Sequence, residues 1–243
     1  MSSGNNEKTP APAPARARPR RRQVVGRPRK VDGAAVKADR ILDAAEDLFS
    51  RRGFDGVTLR KVAELAGVDP ALAHYYFATK QGLFDAVLAR RAQLLFSERM
   101  GAFDAYEAAC GSKPTVEGAV AAFVMPFFER ARTGDEGWKN YFRLIAMVNN
   151  DASHVAVSIM SLFDPLVHRL ITLVKQALPD APEEELFWNF HFFTGSLTLA
   201  LSRTGRLDRV SGGRCRSDDL GSIEPRLIAY SAQGFRRPIG NAG

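Results

Sequence analysis

The sequence predicts an all-α protein, in which a three-helix head of helix-turn-helix type is joined to an antiparallel helical bundle. Three observations predict it. No strand-like alternation of any length occurs, apolar residues recur at helical spacing from Val36 onward, and Gly, Pro, Asp and Ser punctuate the chain at helix-length intervals. With 243 residues, 45% of them hydrophobic, there is apolar material for a sizeable core in one large domain or two modest ones.

Between Val36 and Arg52, the residues Ile41, Leu42, Ala44, Ala45, Leu48 and Phe49 form the stripe of an amphipathic helix, and Gly53 stops it. Thr58 is a good N-cap for a second, shorter helix carrying Leu59, Val62, Ala63 and Ala66, which Gly67 ends. Asp69 caps a third helix whose first position, where no amide hydrogen is needed, holds Pro70; Ala73 and Phe77 point inward from it. Two short helices joined by a Gly-containing turn and braced by a longer one present the last helix to a DNA major groove. Arg60, Lys61 and Lys80 stand in first helical turns, where the macrodipole disfavours cations, so they read either as phosphate partners or as solvated surface charges.

A long helix continues from Leu83 through Phe96, and further helices are expected at about 116–132, 136–150, 153–178, 183–204 and 217–236. Pro126 lies inside a helical run, and Asp164-Pro165 marks a kink or a fresh start; such breaks leave room for a cavity. Among the aromatic side chains, Phe123, Phe127, Trp138, Phe142 and Phe163, with His191, are candidates to line an apolar ligand pocket, or else plain core. Arg143 and His191 are the candidates for an acidic head group. The segment from Leu186 to Leu201 is apolar nearly all round yet too short and too polar to span a bilayer, which fits a helix buried on both sides. Paired with the helix at 217–236, it would form a homodimer interface, where Gly195 and Ala200 allow close approach.

The formal charge of +7 is unevenly placed. Residues 1–33 hold Lys8, Arg16, Arg18, Arg20, Arg21, Arg22, Arg27, Arg29 and Lys30 against Glu7 and Asp32, so the arm carries the whole excess and the remainder is formally neutral. Its Pro/Ala/Arg composition predicts disorder, and a basic arm beside a DNA-reading unit would add salt-dependent phosphate affinity. Arg27 and Arg29, within Gly26-Arg27-Pro28-Arg29-Lys30, resemble the core of AT-hook peptides that enter narrow minor grooves; a merely solubilising tail is the alternative.

Cys110 and Cys215 offer neither a disulfide framework nor metal spacing, and His74, His154, His168 and His191 occur in no HExxH, nucleophile-elbow or phosphate-loop context. Neither an enzyme nor a metal or cofactor is expected. No signal peptide or membrane anchor is readable, which makes the cytoplasm the expected compartment.

The run Thr58-Leu59-Arg60-Lys61-Val62-Ala63, then Ala66-Gly67-Val68, then Tyr75-Tyr76-Phe77-Ala78-Thr79-Lys80-Gln81-Gly82-Leu83-Phe84 resembles the TetR family of transcriptional regulators. The resemblance implies phosphate contacts from Thr58, Tyr76 and Lys80, and base-edge or mixed contacts from Arg60, Pro70, Ala71, Leu72, His74 and Tyr75. Many family members have Tyr where this chain has His74, so that residue reads as neutral filler, as a phosphate donor or as a base reader. The resemblance further implies a homodimer on double-stranded DNA with a palindromic operator, released by a hydrophobic small molecule. Its domains would be a basic arm at 1–33, a DNA-binding domain at 34–82 and an effector-binding and dimerisation domain at 83–237. The run from Leu186 to Phe193, with Thr204-Gly205-Arg206-Leu207 and Ser211 to Cys215, is similar to members that respond to fatty acids or acyl-CoA thioesters. The competing reading is an architectural, nonspecific DNA-binding protein that has no effector.

Overall fold

The computed structural model describes Met1, residues 30–150 and residues 160–237, and among them every regular element is a helix. The head consists of α1 (Lys30–Arg52), α2 (Leu59–Ala66) and α3 (Pro70–Phe77); α4 (Lys80–Cys110) leads into a body built from α5 (Val116–Thr133), α6 (Glu136–Val148), α7 (Asp164–Ala177), α8 (Glu183–Ser202), the short α9 (Arg206–Val210) and α10 (Leu220–Arg236).

Helix boundaries follow local chemistry. Asp135, Thr115 and Asp219 cap α6, α5 and α10 by accepting from the amides of Trp138, Gly118 and Ser222. The break at Asp164-Pro165 is a fresh start: Pro165 occupies the first turn of α7, so the expected helix at 153–178 begins at Asp164, and residues 151–159 lie outside the described ones. α5, by contrast, runs on through Pro126. The segment expected as a helix from 217 starts at Leu220, because Asp208 accepts from the Ser217 amide and holds that stretch as a loop. α9 was not expected from the pattern, having too few residues to show a period. α1 begins at Lys30, four residues inside the stretch read as a disordered arm; the rest of that arm, with Arg27 and Arg29, lies outside the described residues.

In the head, Ile41, Ala45, Phe49, Val62, Ala63, Ala73, Leu83 and Val87 are completely buried. The Phe49 ring meets Phe84 edge-on at 5.0 Å and stacks on Phe54 at 6.1 Å, which sews α1 to the loop before α2 and to the start of α4. In the body, α4 and α10 pack on α5, and α6, α7 and α10 pack on α8.

Head and body meet where α1 packs against α4 and α6 around one buried carboxylate. Glu46 is 2% exposed, and it accepts from Arg91 Nε at 2.7 Å, Arg91 Nη2 at 3.0 Å and Arg90 Nη2 at 3.0 Å. Arg90 also pairs with Asp43 at 2.7 Å, and Arg91 with Asp135 at 3.1 Å, the residue that caps α6. Position 137 must be glycine for this to close, since a Cβ there would stand 1.9 Å from Arg91 Nη2. The Trp138 ring completes the joint, held between the guanidinium groups of Arg91 at 4.9 Å and Arg130 at 5.2 Å.

Without Glu46, Arg90 and Arg91 would keep only the exposed Asp43 and Asp135, and breaking a buried ion pair costs roughly 3 kcal/mol or more. Glu46→Ala is therefore expected to lower the unfolding free energy by about 3 kcal/mol. A urea titration checks it, and an unchanged midpoint would show that the joint does not hold head to body.

Candidate functional site

Two surfaces and one cavity carry the chemistry. The first surface is the outer side of α2 and α3. Thr58 accepts from the Lys61 amide at 3.3 Å, and Asp69 from the Ala71 amide at 2.8 Å, so both short helices start at the caps that the sequence places there. Gly67 turns between them with φ +63°; a Cβ would meet Arg40 Nη2 at 2.8 Å, and that nitrogen donates to the Ala66 carbonyl at 2.5 Å. The left-handed glycine and the Arg40 hydrogen bond together fix how α3 leaves α2.

α3 gives Ala73 wholly to the core, half-buries Leu72 and Tyr76, and leaves Pro70, Ala71, His74 and Tyr75 exposed, Tyr75 by 81%. The rings of Tyr75 and Tyr76 meet edge-on at 5.4 Å. His74 Nδ1 lies 3.4 Å from the Ala78 carbonyl, an arrangement that favours a proton on that nitrogen. Two of the three candidate cations are tied inside the protein. Lys61 Nζ donates to the Gly56 carbonyl at 3.4 Å, and Lys80 Nζ donates to the Phe54 carbonyl at 3.2 Å while sitting 4.2 Å above the Phe54 ring. Arg60 is exposed and makes no hydrogen bond or ion pair among the described residues. Of this set, Arg27 and Arg29 lie outside the described residues.

The second surface is apolar. Along α8, Leu186, Phe193, Leu197 and Leu201 are buried, whereas Trp188, Phe192 and Leu199 are 52%, 51% and 66% exposed; Trp188 stacks on Phe192, and a Cβ added at Gly195 would meet nothing within 4 Å. Tyr230 on α10 is 68% exposed as well.

The cavity, of about 190 Å³, lies among α4, α5, α6, α7 and α8. Of the aromatic candidates, Phe123, Phe127, Phe142 and Phe163 line it, together with Leu95, Tyr141, Phe190 and Leu197. Two candidates do not. Trp138 belongs to the head–body joint, one turn too early on α6, and His191 is exposed beside Trp188 on the outer side of α8. Arg143 is also outside the lining and sits 3.4 Å from Asn140 Oδ1.

Sequence reasoning missed Arg99. It is 2% exposed and lines the cavity, its guanidinium 3.8 Å from the Phe123 ring and 4.6 Å from Phe127, with Nε and Nη2 both lacking a hydrogen-bond partner. Burial pushes this guanidinium down to about 9, so it is still protonated at neutral pH. The neighbouring Tyr141 hydroxyl is likewise buried and unpartnered, and burial holds its pKa well above the usual range. A signal did exist: Ala92, Leu95, Arg99 and Phe103 share the inward stripe of α4, which puts an arginine where an apolar residue belongs.

No helix among the described residues is long and apolar enough to cross a membrane, and no cluster of His, Cys, Asp or Glu among them is able to hold a metal ion.

Comparison with known proteins matches residues 41–87 to the family described as bacterial regulatory proteins, tetR family, and residues 121–234 to the tetracyclin repressor-like C-terminal domain. The HTH-type transcriptional regulator RutR of Escherichia coli is 48% identical over 54 residues, 22% of this chain and 26% of the relative, so the chain spans about a quarter of that protein's length. A TetR-like transcriptional regulator from Rhodococcus sp. RHA1 shares the fold with a TM-score of 0.59 at 18% identity, over 83% of this chain and 97% of that one. So does a Clostridium perfringens protein described as a fatty acid metabolism regulator, with a TM-score of 0.56 at 14% identity over 80% and 97% of the two chains. With a three-helix head and a helical body each matched to the corresponding domain of one family, the chain belongs to the tetR family of bacterial regulatory proteins.

Proposed function

We propose that the protein is a homodimeric, ligand-responsive transcriptional regulator that represses from a palindromic operator and is released when a hydrophobic small molecule enters the body. Residues 34–82 form the DNA-reading domain and residues 83–237 the effector-binding and dimerising one; this is a binding protein of the cytoplasm and no catalysis is assigned to it. The observation that carries the reading is the outer face of α3: a helix capped at Asp69 that gives Ala73 to the core and leaves Pro70, Ala71, His74 and Tyr75 exposed, as Arg60 is on α2. Such a face suits major-groove entry, with Ala71 and Leu72 against thymine methyl groups and Arg60 on phosphate or a base edge. Thr58, Tyr76, Lys61 and Lys80 border the same face, where Lys61 and Lys80 would exchange a carbonyl for a phosphate. The basic arm, through Arg27 and Arg29, adds sequence-independent affinity.

A second copy of the chain covers the apolar face of α8 and α10. Three large apolar side chains in register on one helix, beside a glycine open to solvent, suit a two-fold helical interface. The fatty-acid-regulator fold and the resemblance over Leu186 to Phe193 support a lipid-like effector, a fatty acid or acyl-CoA thioester, and a cavity of about 190 Å³ favours the smaller, free-acid class.

The test is binding of the full chain to its own upstream DNA at two salt concentrations, with a scrambled fragment as control. The expected result is saturable, sequence-dependent binding that Arg60→Ala and Tyr75→Ala each weaken at least tenfold. Sequence-blind binding that vanishes when residues 1–29 are deleted would instead establish the architectural role. Trp188→Glu, which puts a charge into the apolar face, is expected to yield monomers in sedimentation and to lose operator binding while its far-ultraviolet dichroism stays wild-type; a dimer would place the interface elsewhere.

A further inference from the structure

We propose that the cavity binds a compact apolar carboxylic acid, whose carboxylate sits on the Nε and Nη2 edge of Arg99 while its hydrocarbon part fills the aromatic lining. This rests on the effector reading of the cavity and names the chemical class of the ligand.

The unpartnered atoms carry the argument. Nε and Nη2 form the side-on fork of a guanidinium, the edge that matches the two oxygens of a carboxylate. The protein itself uses that edge on carboxylates elsewhere: Arg91 offers Nε and Nη2 to Glu46, Arg130 offers them to Glu98, and Arg216 offers them to Asp218. Arg169, too, is paired, with Asp104 and Glu107. Arg99 alone of these arginines faces a cavity rather than a side-chain carboxylate. A buried charge without a counter-charge is strongly disfavoured, and the flat faces of Phe123 and Phe127 satisfy the π surface of the guanidinium but not its edge. Asp164 also lines the cavity but is exposed, and it accepts no hydrogen bond from Arg99 Nε or Nη2. The Tyr141 hydroxyl, buried and unpartnered in the same lining, supplies a further donor. The Thr194 and Thr198 hydroxyls do not compete for the acid, because they donate to the Phe190 and Thr194 carbonyls.

Size narrows the class. An apolar cavity of roughly 150 Å³ accommodates a benzene ring, so one of about 190 Å³ suits a single ring or a medium-length chain bearing one carboxylate. A long-chain acid, or a thioester with its large polar carrier, exceeds it.

The experiment is calorimetric titration of the full-length protein with octanoate, phenylacetate, octanamide, phenylacetamide, palmitate and octanoyl-CoA, repeated on Arg99→Met. Octanoate or phenylacetate is expected to bind at least tenfold more tightly than its amide, and Arg99→Met to lose that preference while melting no lower than wild type, since it removes an unpaired buried charge. Which of the two acids binds better distinguishes an aliphatic from an aromatic source. Amides that match the acids, acids that bind Arg99→Met unimpaired, failure of both compact acids, or a preference for palmitate or octanoyl-CoA would each overturn the proposal. Should Arg99→Met fail to fold, the acid-to-amide ratio on the wild-type protein decides. Operator binding is measured separately, so a protein that binds DNA but no acid refutes this inference and leaves the regulator reading standing.

Discussion

The placement of α1 against the body centres on the buried Glu46 carboxylate. α1 is at once the brace of the head and a wall of the body, and Glu46 is where the two roles meet: it takes donors from Arg90 and Arg91 on α4, while Arg91 continues to Asp135 at the start of α6. An ion pair removed from water tolerates little departure from its hydrogen-bonded geometry, because loosening it exposes the full desolvation cost of each charge. α1, α4 and α6 are therefore registered to one another at one point, and α2 and α3 follow α1 through Arg40 and the Phe49–Phe54 contact.

That joint lies close to the cavity. Trp138, clamped between Arg91 and Arg130, precedes Tyr141 and Phe142 on α6 by a single turn, and those two residues line the cavity. Arg99 follows Arg91 on α4 by a little over two turns. Two of the three helices that carry the joint, α4 and α6, also carry the cavity wall, so the proposed occupant of the cavity would reach the joint through packed helix.

How far the sequence could be read depended on the range of the interaction. Thr58, Gly67 and Asp69 with Pro70 are caps and stops whose chemistry is settled within four residues, and the helices begin and end there. The two-sided character of α8 was visible too, because a helix apolar all round must meet two partners. Which side meets which was not visible: His191 and Phe190 are adjacent, yet one lies on the outer face and the other on the cavity. Glu46 and Arg91 are 45 positions apart, and nothing local distinguishes a buried glutamate from a solvated one. Arg99 stood in plain view on an apolar stripe, but the long stem of arginine lets it cover apolar surface with its head in water, so its type alone does not announce burial.

The length of α4 gives the joint a mechanical meaning. Measured along a helix rising about 1.5 Å per residue, the Arg91 contact stands about 12 Å from Arg99 on one side and about 16 Å from Lys80, where α4 leaves the head, on the other. Pinned there, α4 has the proportions of a lever with unequal arms: a displacement at the cavity would reappear at the head reversed in sense and enlarged by roughly a third. In the homodimer proposed above, two such levers would carry the two heads together or apart by twice that amount.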